Sequence, residues 1–195
     1  MKLLPLQIHQ GLHPAQLQRA AQLYFETFRQ QINPILGAES RAIAFLRQAI
    51  NPQSALTARY DGIMVGLAGL RFDGQQFLQL QLPLFIRHFG WLLGRIRFRQ
   101  ATLFERPLPA GQLALDSLTV APDMRGQGVG TGLLNAVVEF ASRKGFEAVC
   151  IQVPNTAPAF YRLCRRLGFN YTETQNWPAL SSFGITTFTT LTKTV

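Results

Sequence analysis

Leu118-Thr119-Val120-Ala121-Pro122-Asp123-Met124-Arg125-Gly126-Gln127-Gly128-Val129-Gly130-Thr131-Gly132-Leu133-Leu134 is the stretch from which the fold can be read. A β-branched, apolar run leads into a Pro-Asp turn, and four alternating glycines then lead into a run with helical apolar spacing. Glycine lets a backbone take unusual dihedrals and come close to a ligand. The helix beginning beyond the glycines presents unpaired N–H groups and the positive end of its dipole. A strand, a glycine loop and a helix start in that order form an anion cradle of the size of a pyrophosphate. Two better-known phosphate loops are excluded. No Lys followed by Ser or Thr closes the glycines, as a Walker loop requires, and Gly126, Gly128 and Gly130 do not have G-x-G-x-x-G spacing.

Outward from the loop, the helix should run from Gly128 to Lys144, with Leu133, Leu134, Val137, Val138 and Ala141 on its sheet-facing side and Gly145 as a left-handed cap. Glu147 to Val153 reads as an apolar strand and Pro158 to Leu167 as a helix ended by Gly168. The Thr- and Phe-rich tail suggests two antiparallel strands joined through Trp177-Pro178. Upstream, Gln112 to Val120 is a strand. Asp61-Gly62 joins Ala55–Tyr60 to Ile63–Phe72 as a hairpin. Leu3 to Leu12 reads as a short strand. Apolar spacing predicts a helix over Pro14–Gln31 that ends at Asn33-Pro34, and a second helix capped by Ser40. Residues 75–109, rich in Phe, Leu and Arg, form an insertion with a helix around Leu84 to Leu93. The order predicts an α/β (α+β) fold, a mixed sheet with helices on both faces, in one domain over residues 1–195.

At 195 residues and 47% hydrophobic, the chain can fill one core. Its net charge of +9 permits an anionic partner, either nucleic acid or a polyphosphate cofactor, and decides nothing alone. Cys150 and Cys164 sit among apolar neighbours with no zinc or redox spacing; they read as reduced, buried thiols, and so as a cytoplasmic chain without a metal. The most apolar window, 77–98, is broken by Pro83, Arg87, His88, Arg95 and Arg97, so no transmembrane segment is expected.

The R-x-x-G-x-G pattern of Arg125, Gly128 and Gly130, after an apolar strand and a V-x-P-D turn, closely resembles motif A of the GNAT acetyltransferase superfamily. The resemblance runs from Gln112 to Phe169. It implies a sheet splayed between the strands 112–120 and 147–153, with the pantetheine arm of acetyl-CoA in the opening. Carried over, the strand Leu118, Thr119 and Val120 would meet the pantetheine and thioester through the amides of Leu118 and Val120. Arg125 and the amides of Gly126, Gln127, Gly128, Val129, Gly130 and Thr131 would hold the pyrophosphate. The implied reaction is direct acetyl transfer to an amine in a ternary complex, with acetyl-CoA as co-substrate.

The chain departs from the family where a Tyr commonly protonates the leaving thiolate: Cys164 stands there, with Tyr161 one turn earlier. The usual Asn falls on Ala157, with Asn155 two positions before. Tyr161 and Asn155 are the candidates to substitute, as general acid and cofactor contact, against a plain helix residue or a vacant role. A lysine-type ammonium, pKa ~10.4, must lose a proton before it attacks, and Asp116 is the candidate base, directly or through water. Strand alternation would put Asp116 and Leu118 on one face, Ser117 and Thr119 on the other. Phe85, Phe89, Trp91 and Leu92 in the insertion read as an acceptor lid, a dimer contact, a membrane-surface patch or plain core; with the arginines beside them they suggest an apolar or acidic acceptor. Two other classes stand beside the enzyme: an idle acyl-CoA-binding module, favoured by Cys164, and a nucleic-acid-binding protein, favoured by charge alone and lacking a recognition motif. The acceptor is expected to be a small-molecule or peptide amine, with no nucleic acid.

Overall fold

The strand Gln112–Val120 (β5) is central to a sheet that also contains β1 (Gln7–Gln10), β2 (Ala55–Tyr60), β3 (Ile63–Phe72), β4 (Gln75–Gln76), β6 (Ala148–Pro154), β7 (Asn170–Asn176) and β8 (Thr187–Thr194). A computed structural model describes residues 6–105 and 107–195. The strand order is β1-β2-β3-β5-β6-β8-β7, with β4 on β3. Neighbours run antiparallel except β5 and β6, which are parallel and joined through a helix. The β2–β3 turn is Asp61-Gly62, with φ of 48° and 76°, the left-handed pair that a two-residue hairpin demands. The mixed α/β domain with an open sheet anticipated from the sequence is therefore present.

Helices cover both faces. α1 (Leu17–Thr27), α2 (Arg29–Leu36), α3 (Glu39–Ala49), α4 (Leu82–Phe89) and α5 (Trp91–Thr102) enclose one core containing Phe25, Phe45, Phe77 and Phe85. α6 (Val129–Lys144) and α7 (Pro158–Arg166) cover the other face, burying Leu133, Leu134 and Val137 against Leu113, Val149 and Ile151. Gly145 closes α6 in the left-handed conformation, as its position suggested. No described helix is long and apolar enough to cross a membrane.

Four local expectations need correction. The first strand is only Gln7–Gln10; residues 3–5 lie outside the described residues. The first helix breaks at Phe28, and Asn33-Pro34 terminates neither it nor α2, because Pro34 lies inside α2. The ring costs one hydrogen bond, at the carbonyl of Gln30, and both residues are exposed to solvent. Buried Ile32, Ile35 and Leu36 hold the turn in place. α3 begins at Glu39 after Ala38, so Ser40 is within the helix and not its cap. In the insertion, the expected single helix over Leu84–Leu93 is two helices broken at Gly90, whose φ is 79°. Gly94 lets α5 lie on α4: a Cβ there would come within 2.7 Å of the Ile86 Cα.

The sheet opens where the resemblance implied. The β5–β6 pairing ends at Leu115↔Ile151. Beyond it β5 continues paired only to β3, as far as Val120↔Gly66, while β6 continues paired to β8, as far as Pro154↔Phe188. Each strand thus shows an unpaired backbone edge to the other. β5 also carries a bulge: Gly69 pairs with Ser117 and Leu70 with Leu115, leaving Asp116 as the extra residue. The bulge resets the alternation. Leu113, Leu115, Leu118 and Val120 all pack toward α6 and α7, whereas Ala114, Asp116 and Ser117 line a cavity on the other face. Asp116 and Leu118 therefore do not share a face.

Candidate active site

The glycine loop leads from β5 into α6 through a short 3-10 turn at Pro122–Met124. Gly126 and Gly128 have φ of 77° and 85°, and a Cβ added at either would meet nothing within 4 Å. Gly128 is the N-cap of α6, with no side chain capping it. The first intrahelical bond is from the Gly132 amide to the Gly128 carbonyl, 2.9 Å. Among the described residues, the six amides from Gly126 to Thr131 donate to no protein acceptor. Left-handed glycines and a helix N-terminus thus aim these donors at open space, and that arrangement fits a diphosphate. Two side chains brace the loop. Arg125 Nε donates to the Val120 carbonyl at 3.2 Å, and Gln127 Nε2 to the Asp123 carbonyl at 2.8 Å. Arg125 is exposed and stands where strand edge and loop meet.

The exposed edge of β5 can be read amide by amide. Ala121 N donates to the Val65 carbonyl of β3 at 2.8 Å. Regular alternation back from it turns the Thr119 amide to β3 as well, and the Val120 and Leu118 amides to the opening. Thr119 drops out as a cofactor contact: its amide serves the sheet and its hydroxyl is buried. The Leu118 and Val120 amides are on the unpaired edge. Asn155 has a different task. Its Oδ1 accepts from Thr186 N and Thr187 N, 3.0 and 3.3 Å, tying the end of β6 to the start of β8.

On the opposite face a cavity of about 570 Å³ begins at Ala114–Ser117 and Cys150, beside the opening, and runs between the sheet and the α1–α5 helices. Its wall is mostly aromatic and aliphatic; Phe28, Phe45, Phe77, Phe85, Phe104 and Phe188 contribute rings. Asp116 stands at the sheet end, where Arg71 Nε from β3 donates to Oδ1 at 3.1 Å and Oδ2 at 3.2 Å. Tyr24 lies in the same wall; burial first, and the charge of Asp116 second, push its hydroxyl pKa well above the usual value. The Ser117 hydroxyl is buried with no hydrogen-bond partner. Of the expected lid residues, Phe85 lines the cavity, while Trp91 and Leu92 are exposed. Arg87, Arg95, Arg97 and Arg99 of the insertion do not line the cavity; Arg95 lies over the Trp91 ring and Arg97 over the Phe89 ring. They therefore do not favour an acidic acceptor inside it.

Residues 17–169 match the model of the acetyltransferase (GNAT) family. The chain belongs to that family. Among curated proteins this GNAT chain is similar to the probable N-acetyltransferase camello of Xenopus tropicalis, 36% identical over 69 residues. That stretch is 35% of this chain and 32% of the relative, so the likeness spans about a third of either protein. An N-acetyltransferase from Staphylococcus aureus Mu50 shares the fold at a TM-score of 0.70 and 13% identity, over 96% of this chain and 100% of the other. So does yncA, a putative acetyltransferase from Salmonella typhimurium solved with its cofactor acetyl-CoA, at a TM-score of 0.60 and 18% identity, over 97% and 93%.

α7 is where this GNAT chain departs from its family's pattern. Cys164 is fully buried, and burial pushes its thiol pKa up to about 12. A neutral, enclosed thiol is no nucleophile. Burial likewise raises the pKa of Cys150, so both cysteines are buried, unpaired thiols, as their neighbours suggested. Tyr161 is half-buried one turn earlier and packs on the α6–α7 core. Leu163 approaches the loop: a Cβ on Gly130 would lie 3.3 Å from its Cδ2. Arg71 and Tyr24 are the site residues missed by sequence reading. Arg71 reaches Asp116 only through the β3–β5 register and its bulge, and Tyr24 reads as an ordinary apolar-face residue of α1; neither position has a local sequence signal.

Proposed function

We propose that this GNAT chain transfers an acetyl group from acetyl-CoA to a primary amine by direct attack in a ternary complex. The observation that carries the proposal is the run of unpaired amides from Gly126 to Thr131, joined to the opened edge of β5 and backed by a cavity bearing a carboxylate. The loop amides receive the diphosphate, whose charge is met by backbone donors and the helix dipole. The amides of Val120 and Leu118 line the pantetheine channel, and the latter meets the thioester oxygen as charge grows there.

The acceptor enters from the cavity face as an ammonium. Asp116 takes one proton, directly or through a water, and the nitrogen lone pair attacks the thioester carbon. The C–N bond forms, the C–S bond breaks with its electron pair going to sulfur, and the second amine proton goes to the thiolate. Tyr161 is the hydroxyl assigned to that last transfer. Arg71 positions Asp116 by holding both of its oxygens.

One observation favours a second reading. Cys164 stands at the family's Tyr position and is too deeply buried to donate, which suits an acyl-CoA-binding module without turnover. A thiol-release assay with acetyl-CoA against a panel of primary amines separates the two. Amine-dependent release supports the enzyme; acetyl-CoA binding with no release from any amine supports the module.

A further inference from the structure

The cavity is mostly apolar, and its charged side chains are few among the described residues. Among the described residues, the ionisable side chains lining the cavity, Tyr24 and Cys150 aside, are Asp116, Glu105 and Arg71. Arg71 is already held by both oxygens of Asp116. Asp116 stands at the end of the cavity nearest the sheet opening. Away from that end the lining is mostly Phe, Leu and Ile from α2, α3 and β8, with Tyr24 of α1 and Gln31 of α2, closed by Phe85 of α4, Ala101 of α5 and Phe104 beyond it. Its volume of about 570 Å³ lies within the ~300–1,000 Å³ of pockets that enclose most of a small organic ligand. A peptide lysine would leave this mostly apolar wall in contact with water, and a polyhydroxylated amine would leave most of it without an apolar partner. The buried, unpartnered Ser117 hydroxyl stands beside Asp116 and can accept one hydrogen bond from an entering amine.

Resting on the acetyl-transfer reading above, we infer that the acceptor is a small primary amine carried on an apolar body, alkyl or arylalkyl, whose nitrogen lies at Asp116 and whose body fills the cavity behind the insertion. The insertion makes the site specific: α4 and α5 convert an open acceptor face into a closed apolar pocket.

The experiment measures thiol release at saturating acetyl-CoA for propylamine through octylamine and for phenethylamine. Ethanolamine, putrescine and a lysine-containing peptide are the polar comparisons. kcat/KM is expected to rise about four-fold per methylene along the alkyl series, the factor that burying one CH₂ supplies. All polar amines should fall below hexylamine. Leu108→Glu, at a half-buried position in the cavity wall, should lower kcat/KM for octylamine by about ten-fold or more, more than one methylene's worth, with the acetyl-CoA thermal shift unchanged. A flat alkyl series, or a peptide or diamine faster than octylamine, overturns the inference while leaving acetyl transfer intact. So does tighter binding of octanoyl-CoA than acetyl-CoA with no turnover of apolar amines, which would make the cavity an acyl-chain pocket. No thermal shift with any acyl-CoA brings down the parent reading and this one together.

Discussion

Replacing Gly128 by alanine separates two effects that the loop combines. Gly128 sits at φ 85° with nothing within 4 Å of an added Cβ. The left-handed conformation costs an L-residue about 1–2 kcal/mol, and a chain of this size loses about 2–4 °C in Tm per kcal/mol. The apo protein should therefore melt about 2–8 °C lower. The methyl also projects into the space assigned to the diphosphate and should break at least one charge-assisted amide bond, worth about 1.5–3 kcal/mol. That weakens acetyl-CoA by about ten- to hundred-fold. The control is Gly62→Ala in the β2–β3 turn, where φ is 76° and the surroundings are equally open. It incurs the same strain remote from the loop. Differential scanning fluorimetry with acetyl-CoA at one hundred times the wild-type Kd, a stabilisation of about 2.7 kcal/mol, reads both effects. Both variants should lose similar apo Tm. The ligand-induced shift should stay at its wild-type value in Gly62→Ala and fall to about half or less in Gly128→Ala. Equal ligand shifts in the two variants would refute the loop's assigned role.

Further outcomes are tied to particular contacts. Asp116→Asn should lower kcat by about 100-fold, within the range for a lost general base, with acetyl-CoA affinity unchanged in a fluorimetric titration. Tyr161→Phe should reduce the rate of thiol release without altering cofactor binding; full activity would leave thiolate protonation to water. Gly69→Ala should destabilise by about 1–3 kcal/mol or more in urea unfolding, because a Cβ would strike the Ser117 hydroxyl and the Phe77 ring. Cys164 makes stability depend on alkaline pH. Its folded pKa of about 12 lies above the unfolded value of 9.0, so its contribution is complete below pH 9 and is lost as pH rises toward 12. Cys164→Ala should flatten that alkaline limb of the unfolding curve.

The glycine loop was legible because its geometry is carried by the backbone. Four glycines, the strand before them and the helical period after them mark a strand–loop–helix with unpaired amides without any side chain having to be placed. The β2–β3 turn and the Gly145 cap were readable for the same reason: each glycine meets a local dihedral demand. The acceptor side was not, since its geometry is set by tertiary pairing. Nothing local announces that Asp116 is a bulge residue, that Arg71 will lie opposite it, or that the alternation resets between Leu115 and Leu118. Nor does anything local announce that Asn155 Oδ1 will accept from the amides of Thr186 and Thr187. In the insertion, apolar residues continue on both sides of Gly90, so periodicity alone joined α4 to α5. Arg87, Arg95, Arg97 and Arg99 suggested an acidic acceptor by sequence proximity, but none of the four lines the cavity.

A crystal structure with coenzyme A bound tests the central claim most directly. The diphosphate oxygens should accept hydrogen bonds from amides between Gly126 and Thr131, with the pantetheine lying between β5 and β6 and the thiol ending near Asp116. A coenzyme bound elsewhere, for instance along the arginines of α5, with those amides facing solvent, would contradict the account.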